Sequence, residues 1–505
     1  LASSAASDVY KRQVYVELIL NYKLKMITMK FKYLTILTFA TAMVSCDVLD
    51  KEPADSWESS SAITSYEDLV YAVNGVYESQ TWTSATSSRG IYSGDFTLYA
   101  DMKGEDFQCI GKNGQATDVS WYLATPTSLS PETFYFSFYQ SLARVNKVIE
   151  QVAEVGLSGE EVEQQLGELY ALRALFHFDL ARLYAKIPST VNDMNSELGI
   201  TLATQTFPAN YIGERTSLAK TYETIFSDLD TALQKLANMK DKTTGHINYW
   251  GALALRSRVH LYMDNADGTD HNALALKDAK EVIENSPYKL YSIGDYLSVW
   301  SQQFTPSENI FEIAVTSQYN AQRNSLGYYT HAEGYAEAAI SDSFKQLLAS
   351  QPAGDVRKEL IAEETDNGNN TGFYTQKYPG YNGEIYVNNP KVIRLSEVYL
   401  IAAEAALKSI DDNGVTAAKY INDLREKRIT GYSDVNTVTL DEILKERRIE
   451  LNGEGHMAWD MWRNKKSVNN PKVGKIDYTD YRTILPIPQA EINTSHGVIK
   501  QNFGY

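Results

Sequence analysis

Gly167-Glu-Leu-Tyr-Ala-Leu-Arg-Ala-Leu-Phe-His-Phe-Asp-Leu-Ala-Arg-Leu-Tyr184 decides the fold class of this chain. Leu169, Leu172, Phe176, Leu180 and Leu183 recur at spacings of three and four, the period of one helix face, until Pro188 stops the helix. Ser158-Gly-Glu-Glu161 ahead of it has the form of a capping box. The same grammar extends outward. Thr64-Ser-Tyr-Glu67 precedes the stripe Leu69, Val73, Val76 and Tyr77. Pro131 opens a helix carrying Phe134, Phe138, Leu142, Val145 and Ile149. Leu218, Tyr222, Ile225, Leu229 and Leu236 form another stripe, followed by the small, apolar run Ala252–Tyr262 and by Ala273–Ile283. Helical order returns at Leu395–Ala406 and Ala418–Arg428, and Thr439-Leu-Asp-Glu442 caps Ile443–Leu451. These paired, Ala-rich helices predict an all-α fold, a scaffold of tetratricopeptide-like helix pairs. Long irregular loops, about 83–130 and 287–390, and a few short strands decorate it; Glu308–Val315 is the strand-like run.

The chain has 505 residues, 43% apolar and 22% charged, enough to bury a large core. Its net charge is −17, and its first 45 residues carry a local +4, which leaves −21 on the rest. A body that acidic is unsuited to nucleic acid, whose phosphates need a basic face. Two cysteines exclude a disulfide framework. Tyrosine outnumbers phenylalanine 35 to 16, the bias expected where rings meet water and still offer a hydroxyl.

Lys30-Phe-Lys32 and the apolar run Tyr33–Val44 have the form of an export signal, too short to span a bilayer. The run ends in Ser45-Cys46, as a bacterial lipobox does, with Met43 in place of the usual leucine. Residues 26–45 are therefore read as a lipoprotein signal peptide, with Met26 or Met29 as the start, and Cys46 as the acylated residue of a tether over 46–60. Residues 1–25 fit no targeting logic. Asp8-Val-Tyr-Lys-Arg-Gln13 is what the end of a sequencing-library transposon would encode, so this segment is read as adaptor and read-through. The remainder divides into an N-terminal helical region, 61–290, and a C-terminal region, 291–505.

Phosphate loops, nucleophile elbows and zinc-helix motifs are absent, and His331-Ala-Glu333 lacks a second histidine at helical spacing. His177 and His260 fall inside helices and read as core residues. No cofactor is expected. Whether Ca²⁺ supports the structure stays open, with Glu363-Glu-Thr-Asp366 read as solvated charge. The 64 acidic residues leave an α-helical glycoside hydrolase as the enzyme alternative, because such chemistry needs only two placed carboxyls. The irregular regions say more. Trp82, Tyr92, Tyr99, Trp121 and Tyr122 fall in or beside the first. Trp300, Tyr319, Tyr328, Tyr329, Tyr335, Tyr374, Tyr378 and Tyr381 fall in the second, with Asn320, Gln322, Arg323 and Asn324 among them. A sugar offers an apolar C–H face to a ring and hydroxyls to polar edges, and this combination supplies both. Trp82, Tyr92, Trp121, Tyr122, Trp300, Tyr319, Asn320, Arg323, Tyr328 and Tyr329 are the candidate binding residues, expected to converge on one shallow surface.

Several segments resemble the SusD/RagB family of surface lipoproteins. They are the start Cys46-Asp-Val-Leu-Asp-Lys-Glu-Pro53, the helix quoted above with Pro188, Arg394-Leu-Ser-Glu-Val-Tyr-Leu-Ile-Ala-Ala-Glu-Ala405, and Glu446-Arg-Arg-Ile-Glu-Leu-Asn-Gly-Glu-Gly455 with Asp460-Met-Trp-Arg463. Leu485-Pro-Ile-Pro-Gln-Ala-Glu-Ile492 and Gln501-Asn-Phe-Gly-Tyr505 complete the series in the family's order. His456 and Met457 stand where the family often has a basic residue, a departure read as structural. The resemblance implies a lipid-anchored protein on the outer face of the outer membrane. Such a protein is a lid over a SusC-like TonB-dependent transporter, capturing glycans or, in some members, peptides, without catalysis. It places binding in the loops around Trp82–Tyr122 and Gln318–Tyr335. Arg447, Arg448, Glu450 and Glu454 are expected to form a buried ion-pair network that fixes the terminal helix.

Overall fold

The computed structural model describes residues 62–81, 91–208, 210–243, 245–366, 370–410 and 412–505. The leader, Cys46, the tether and Trp82 lie outside the described residues. Residues 63–505 form one compact unit.

Its helices are α1 (Tyr66–Glu78), α2 (Asp95–Lys103), α3 (Leu129–Val155), α4 (Glu160–Tyr184), α5 (Leu218–Lys235), α6 (Tyr249–Met263) and α7 (His271–Asn285). After the second irregular region come α8 (Leu395–Ile410), α9 (Val415–Glu426), α10 (Leu440–Glu450) and α11 (Met457–Arg463). Sequence neighbours pack as pairs: α4 on α5, α6 on α7, α8 on α9. The pairs stack through α7 against α8, so the helices of the 61–290 and 291–505 regions share one hydrophobic core that runs from Ile63 to Ile499. The all-α, tetratricopeptide-like scaffold is thus the observed fold.

Capping shows how closely local chemistry sets the boundaries. Thr439 caps α10 through the expected box with Glu442. The box at α1 is one residue later than Thr64–Glu67: Ser65 accepts from the Asp68 N–H, and Asp68 reaches back. Ser158 caps nothing; α4 begins after Gly159, which has a positive φ and no side chain to offer. The first irregular region also holds more order than its sequence shows. All nine residues of α2 are buried, so it has neither a polar face nor a helical stripe to betray it.

Short strands tie the irregular regions down. β1 (Phe107–Cys109), β2 (Asn309–Glu312), β3 (Ala338–Ile340) and β4 (Lys391–Arg394) make two antiparallel pairs, β1 with β3 and β2 with β4. β2 is the core of the expected strand. The second pair delivers Glu308 and Arg394 to the centre of a buried charge network. Arg394 reaches Glu454 at 2.7 Å. Arg428 reaches Glu308 at 2.9 Å and Glu450 at 3.0 Å, and Lys377 reaches Glu454 at 2.6 Å. Glu450 and Glu454 therefore lie in the network as expected. Arg447 and Arg448 point elsewhere, to Asp460 at 2.7 Å and Asp106 at 2.5 Å. Burial opposes ionisation of Glu450, but the guanidinium groups of Arg428, Arg394 and Arg357 outweigh it and hold the carboxyl far below its ordinary range. Gly455 closes the motif with φ +77°, where a Cβ would lie 2.4 Å from the Thr97 carbonyl oxygen. His456 and Met457 are buried, and their N–H groups donate to Asp101 from α2, a cap supplied across the fold.

The acidic run Glu363–Asp366 is not simply solvated. Asp366 pairs with Lys112 at 2.6 Å, and Glu364 accepts from Ala332 N–H and from Gln376. Among the described residues no group of three His, Cys, Asp or Glu side chains could hold a metal ion, and no helix is long and apolar enough to cross a membrane.

Candidate functional site

The structure separates the expected aromatic residues by what lies beneath each ring. Tyr92 is buried and its hydroxyl donates to Asp179 of α4. Tyr122 is buried with its hydroxyl on the Lys103 carbonyl at 2.7 Å and the Lys103 ammonium 4.0 Å above its ring. Trp300, 5% exposed, lies over the charge network, with Lys377 Nζ 4.7 Å and the Arg394 guanidinium 5.2 Å from its ring. Tyr329 is 0% exposed in a satellite core with Leu98, Phe107, Ile340 and Phe344. Asn320 is buried and builds a turn, donating to the Thr316 and Ser317 carbonyls and accepting from Gln322 N–H. These five residues have no free face for a ligand; the stripe-free loops that carry them are folded onto the scaffold.

Trp121 is half-buried. Its indole N–H donates to the Cys109 carbonyl at 3.1 Å, Lys472 Nζ stands 4.2 Å over the ring, and Gly111 (φ +68°) leaves the room that a Cβ, 2.4 Å from the indole, would take. It pins the 109–121 loop. Tyr328, half-buried, stands edge-on to Tyr335 at 5.0 Å, and Arg323 is exposed. None of these three lines the cavity that Tyr319 lines.

Tyr319 does line a cavity. It is 42% exposed beside Phe304, 39% exposed, and with Asn74, Tyr77, Glu78 and Thr81 of the α1 end, Gly245, His246, Ala314 and Thr316 they enclose an open space of about 350 Å³. Each ring is positioned by backbone chemistry. Thr316 and Tyr319 close a tight turn, Thr316 N–H donating to the Tyr319 carbonyl and Tyr319 N–H to the Thr316 hydroxyl, both at 3.0 Å. Gln303 donates to the Val315 carbonyl at 2.8 Å and ties Phe304 to the same strand end. Phe304 sits at φ +56°, a left-handed conformation that a bulky residue holds only when its surroundings impose it. Ser93 from the first irregular region donates to the Thr81 carbonyl at 2.9 Å. Thr81 is the residue before Trp82. Thus the end of α1 and the loop after β2 do meet here, through rings and polar groups of which only Tyr319 was expected. Phe304 and His246 were missed. The signal for Phe304 was a phenylalanine in the polar run Ser301-Gln-Gln-Phe-Thr305; His246 carried none.

A larger cavity, about 720 Å³, lies between Ile187–Leu198 and the closing segment, with Trp459, Trp462, Tyr481 and Phe503 in its walls. Its charged and amide side chains are engaged, Lys186 with Glu197 at 2.8 Å, Asp480 with Arg482 at 2.7 Å, Asn502 with the Tyr184 and Leu485 carbonyls, while the indole N–H groups of Trp459 and Trp462 lack a hydrogen-bond partner among the described residues but are closed to solvent. Recognition needs uncommitted polar groups beside apolar surface, and size alone does not supply them. The smaller cavity has both.

The family model of the SusD family matches residues 357–505, and a second, described as starch-binding and associating with the outer membrane, matches residues 47–261. SusD-like protein P2 of Formosa agariphila is 23% identical over 94% of this chain and 100% of its own length. A crystal structure of a SusD superfamily protein from Bacteroides thetaiotaomicron superposes with a TM-score of 0.78 at 30% identity, covering 87% of this chain and 99% of that one. Surface glycan-binding protein A from Bacteroides thetaiotaomicron, in complex with laminarihexaose, shares the fold at a TM-score of 0.68 and 19% identity, over 86% of this chain and 99% of that one. Matching a solved member along nearly its whole length, with family models on both ends of the helical scaffold, this chain belongs to the SusD family.

Proposed function

We propose that this protein captures glycans at the cell surface and passes them to a partner TonB-dependent transporter of the SusC kind, without catalysing a reaction on them. The observation that carries the reading is the cavity at the end of α1. Two exposed rings, Phe304 and Tyr319, stand beside the polar side chains Asn74, Glu78, His246 and Thr316. Rings match the apolar faces of a sugar, and the rim matches its hydroxyls. Family membership supports it, as does the laminarihexaose complex of a protein with the same fold. A binder and an enzyme differ in what the site stabilises: catalysis requires groups complementary to a transition state, and this rim offers side chains suited to ground-state hydrogen bonding. Acylation at Cys46 would anchor the chain to the outer membrane, with two acyl chains giving stable attachment where one would not.

Titration of the mature protein with a panel of oligosaccharides tests the reading. Binding that is weakened by Tyr319→Ala, with no product released on long incubation, is the expected result. Product release lost on changing a single carboxylate would place the protein among the hydrolases, and binding of peptides alone would replace the glycan. For the anchor, Cys46→Ala should move the protein from the membrane to the soluble fraction or block its processing. For the partner, affinity purification from the native membrane should recover a TonB-dependent transporter.

A further inference from the structure

We infer that the cavity at the end of α1 takes a neutral saccharide, and that His246, oriented by Glu168, is the residue that selects it by meeting a hydroxyl. This deepens the glycan-binding reading and rests on it. His246 Nδ1 lies 2.7 Å from Glu168 Oε2, a carboxylate of α4 that is buried. The same oxygen accepts the Tyr77 hydroxyl from α1 at 2.7 Å, and the Tyr77 oxygen accepts Ile247 N–H at 3.1 Å. The His246 ring packs on the Tyr77 ring at 4.4 Å. An ionised carboxylate can only accept, so Nδ1 carries a proton whether the ring is neutral or charged. The other nitrogen, Nε2, has no hydrogen-bond partner among the described residues, on a side chain one-third exposed (33%) that lines the cavity.

Titration therefore changes only Nε2. Burial lowers the imidazole pKa, but the hydrogen bond and charge of Glu168 outweigh it and raise it above the ordinary histidine value. Below that pKa Nε2–H donates; above it Nε2 accepts. A sugar hydroxyl can do the complementary thing in each state, whereas a carboxylate or sulfate can only accept. The surrounding charges agree. Glu78 of α1 lines the cavity and Glu168 of α4 lies behind the imidazole; Tyr77 and Tyr319 add phenols, and among the described residues no lysine or arginine lines it. An anionic sugar would meet like charge with no fixed cation among the described lining residues to offset it.

The mature full-length protein, run by affinity electrophoresis through gels holding laminarin, starch or galactomannan and, separately, alginate, polygalacturonate or carrageenan, tests this at about pH 5.5 and pH 8, on either side of an ordinary histidine pKa. Retardation by a neutral polymer alone, with affinities within about threefold at the two pH values, is expected. His246→Phe, which keeps a ring on Tyr77 and removes both nitrogens, should weaken retention about tenfold, the worth of one hydrogen bond. Tighter retention by an anionic polymer overturns the inference. So does unchanged retention in a folded His246→Phe variant while Tyr319→Ala loses it, an outcome that leaves the glycan site standing. Retention by no polymer overturns the site and the inference together.

Discussion

Trp300 and Tyr319 stand on the same irregular stretch and look alike in sequence, two large rings in polar surroundings. In the fold they face opposite fates. Trp300 lies over Lys377 and Arg394, which belong to a buried charge network with Glu308, Arg428, Glu450 and Glu454 that cannot be left uncovered. Tyr319 projects from a self-closed turn and lines the cavity. A ring's role in this molecule is set by whether a cation or an opening lies under it. The first pattern stabilises the protein and the second leaves surface for a ligand.

The sharpest way to break the comparison is to remove what Trp300 covers. Glu450→Ala would leave Arg357, Arg394 and Arg428 buried without their shared carboxylate, and removing one partner of a buried pair costs about 3–5 kcal/mol. Denaturant unfolding should show a loss at the top of that range; a loss below about 1 kcal/mol would mean the network matters little. Trp300→Ala should cost about 3 kcal/mol by the same measurement through lost packing, with no specific loss of glycan affinity. Tyr329→Ala should behave likewise, because its ring is core rather than surface.

Acid should act on the same half of the comparison. The carboxyls of Glu446, Glu450 and Glu454 are held below their ordinary range in the fold, by neighbouring arginines and, for Glu454, by Lys377 as well, against the opposing effect of burial. A depressed folded-state pKa gives stability that is full above the unfolded value, about 4.5, and is lost as pH falls through the folded one. The share of the melting temperature that these three carboxyls supply should therefore be full above about pH 5 and decline below it. A midpoint that rises on acidification would contradict the network.

The other half gives smaller effects. Tyr319→Ala should change unfolding free energy by less than about 0.5 kcal/mol, as exposed substitutions do. It should lower glycan affinity about tenfold, the equivalent of roughly 1.4 kcal/mol of lost stacking. Equal losses in both measurements would erase the distinction from Trp300. Lys472→Ala is the mildest test. It removes the cation over Trp121 and should cost about 0.5–1 kcal/mol of stability while leaving affinity alone. A drop in affinity instead would return Trp121 to the binding surface.

The sequence alone determined the scaffold, because helical period and capping are local. Leu169–Leu183, the Thr439 box and Pro188 carry their meaning within a few residues, and their readings match the observed helices. It also marked Glu450 and Glu454 as network members, since charges crowded on one short helix end need partners. What only the tertiary structure decided is burial. The α2 helix is enclosed on every side and so shows no stripe, and Arg447 and Arg448 found partners in Asp460 and Asp106 rather than each other's neighbours. Five of the ten expected binding residues, Tyr92, Tyr122, Trp300, Asn320 and Tyr329, turned inward. Phe304 and His246 turned toward a cavity assembled from the end of α1, the α5–α6 loop and the segments on either side of β2. The exposure of a ring depends on which distant segment arrives beneath it, and nothing in the few residues around it encodes that arrival.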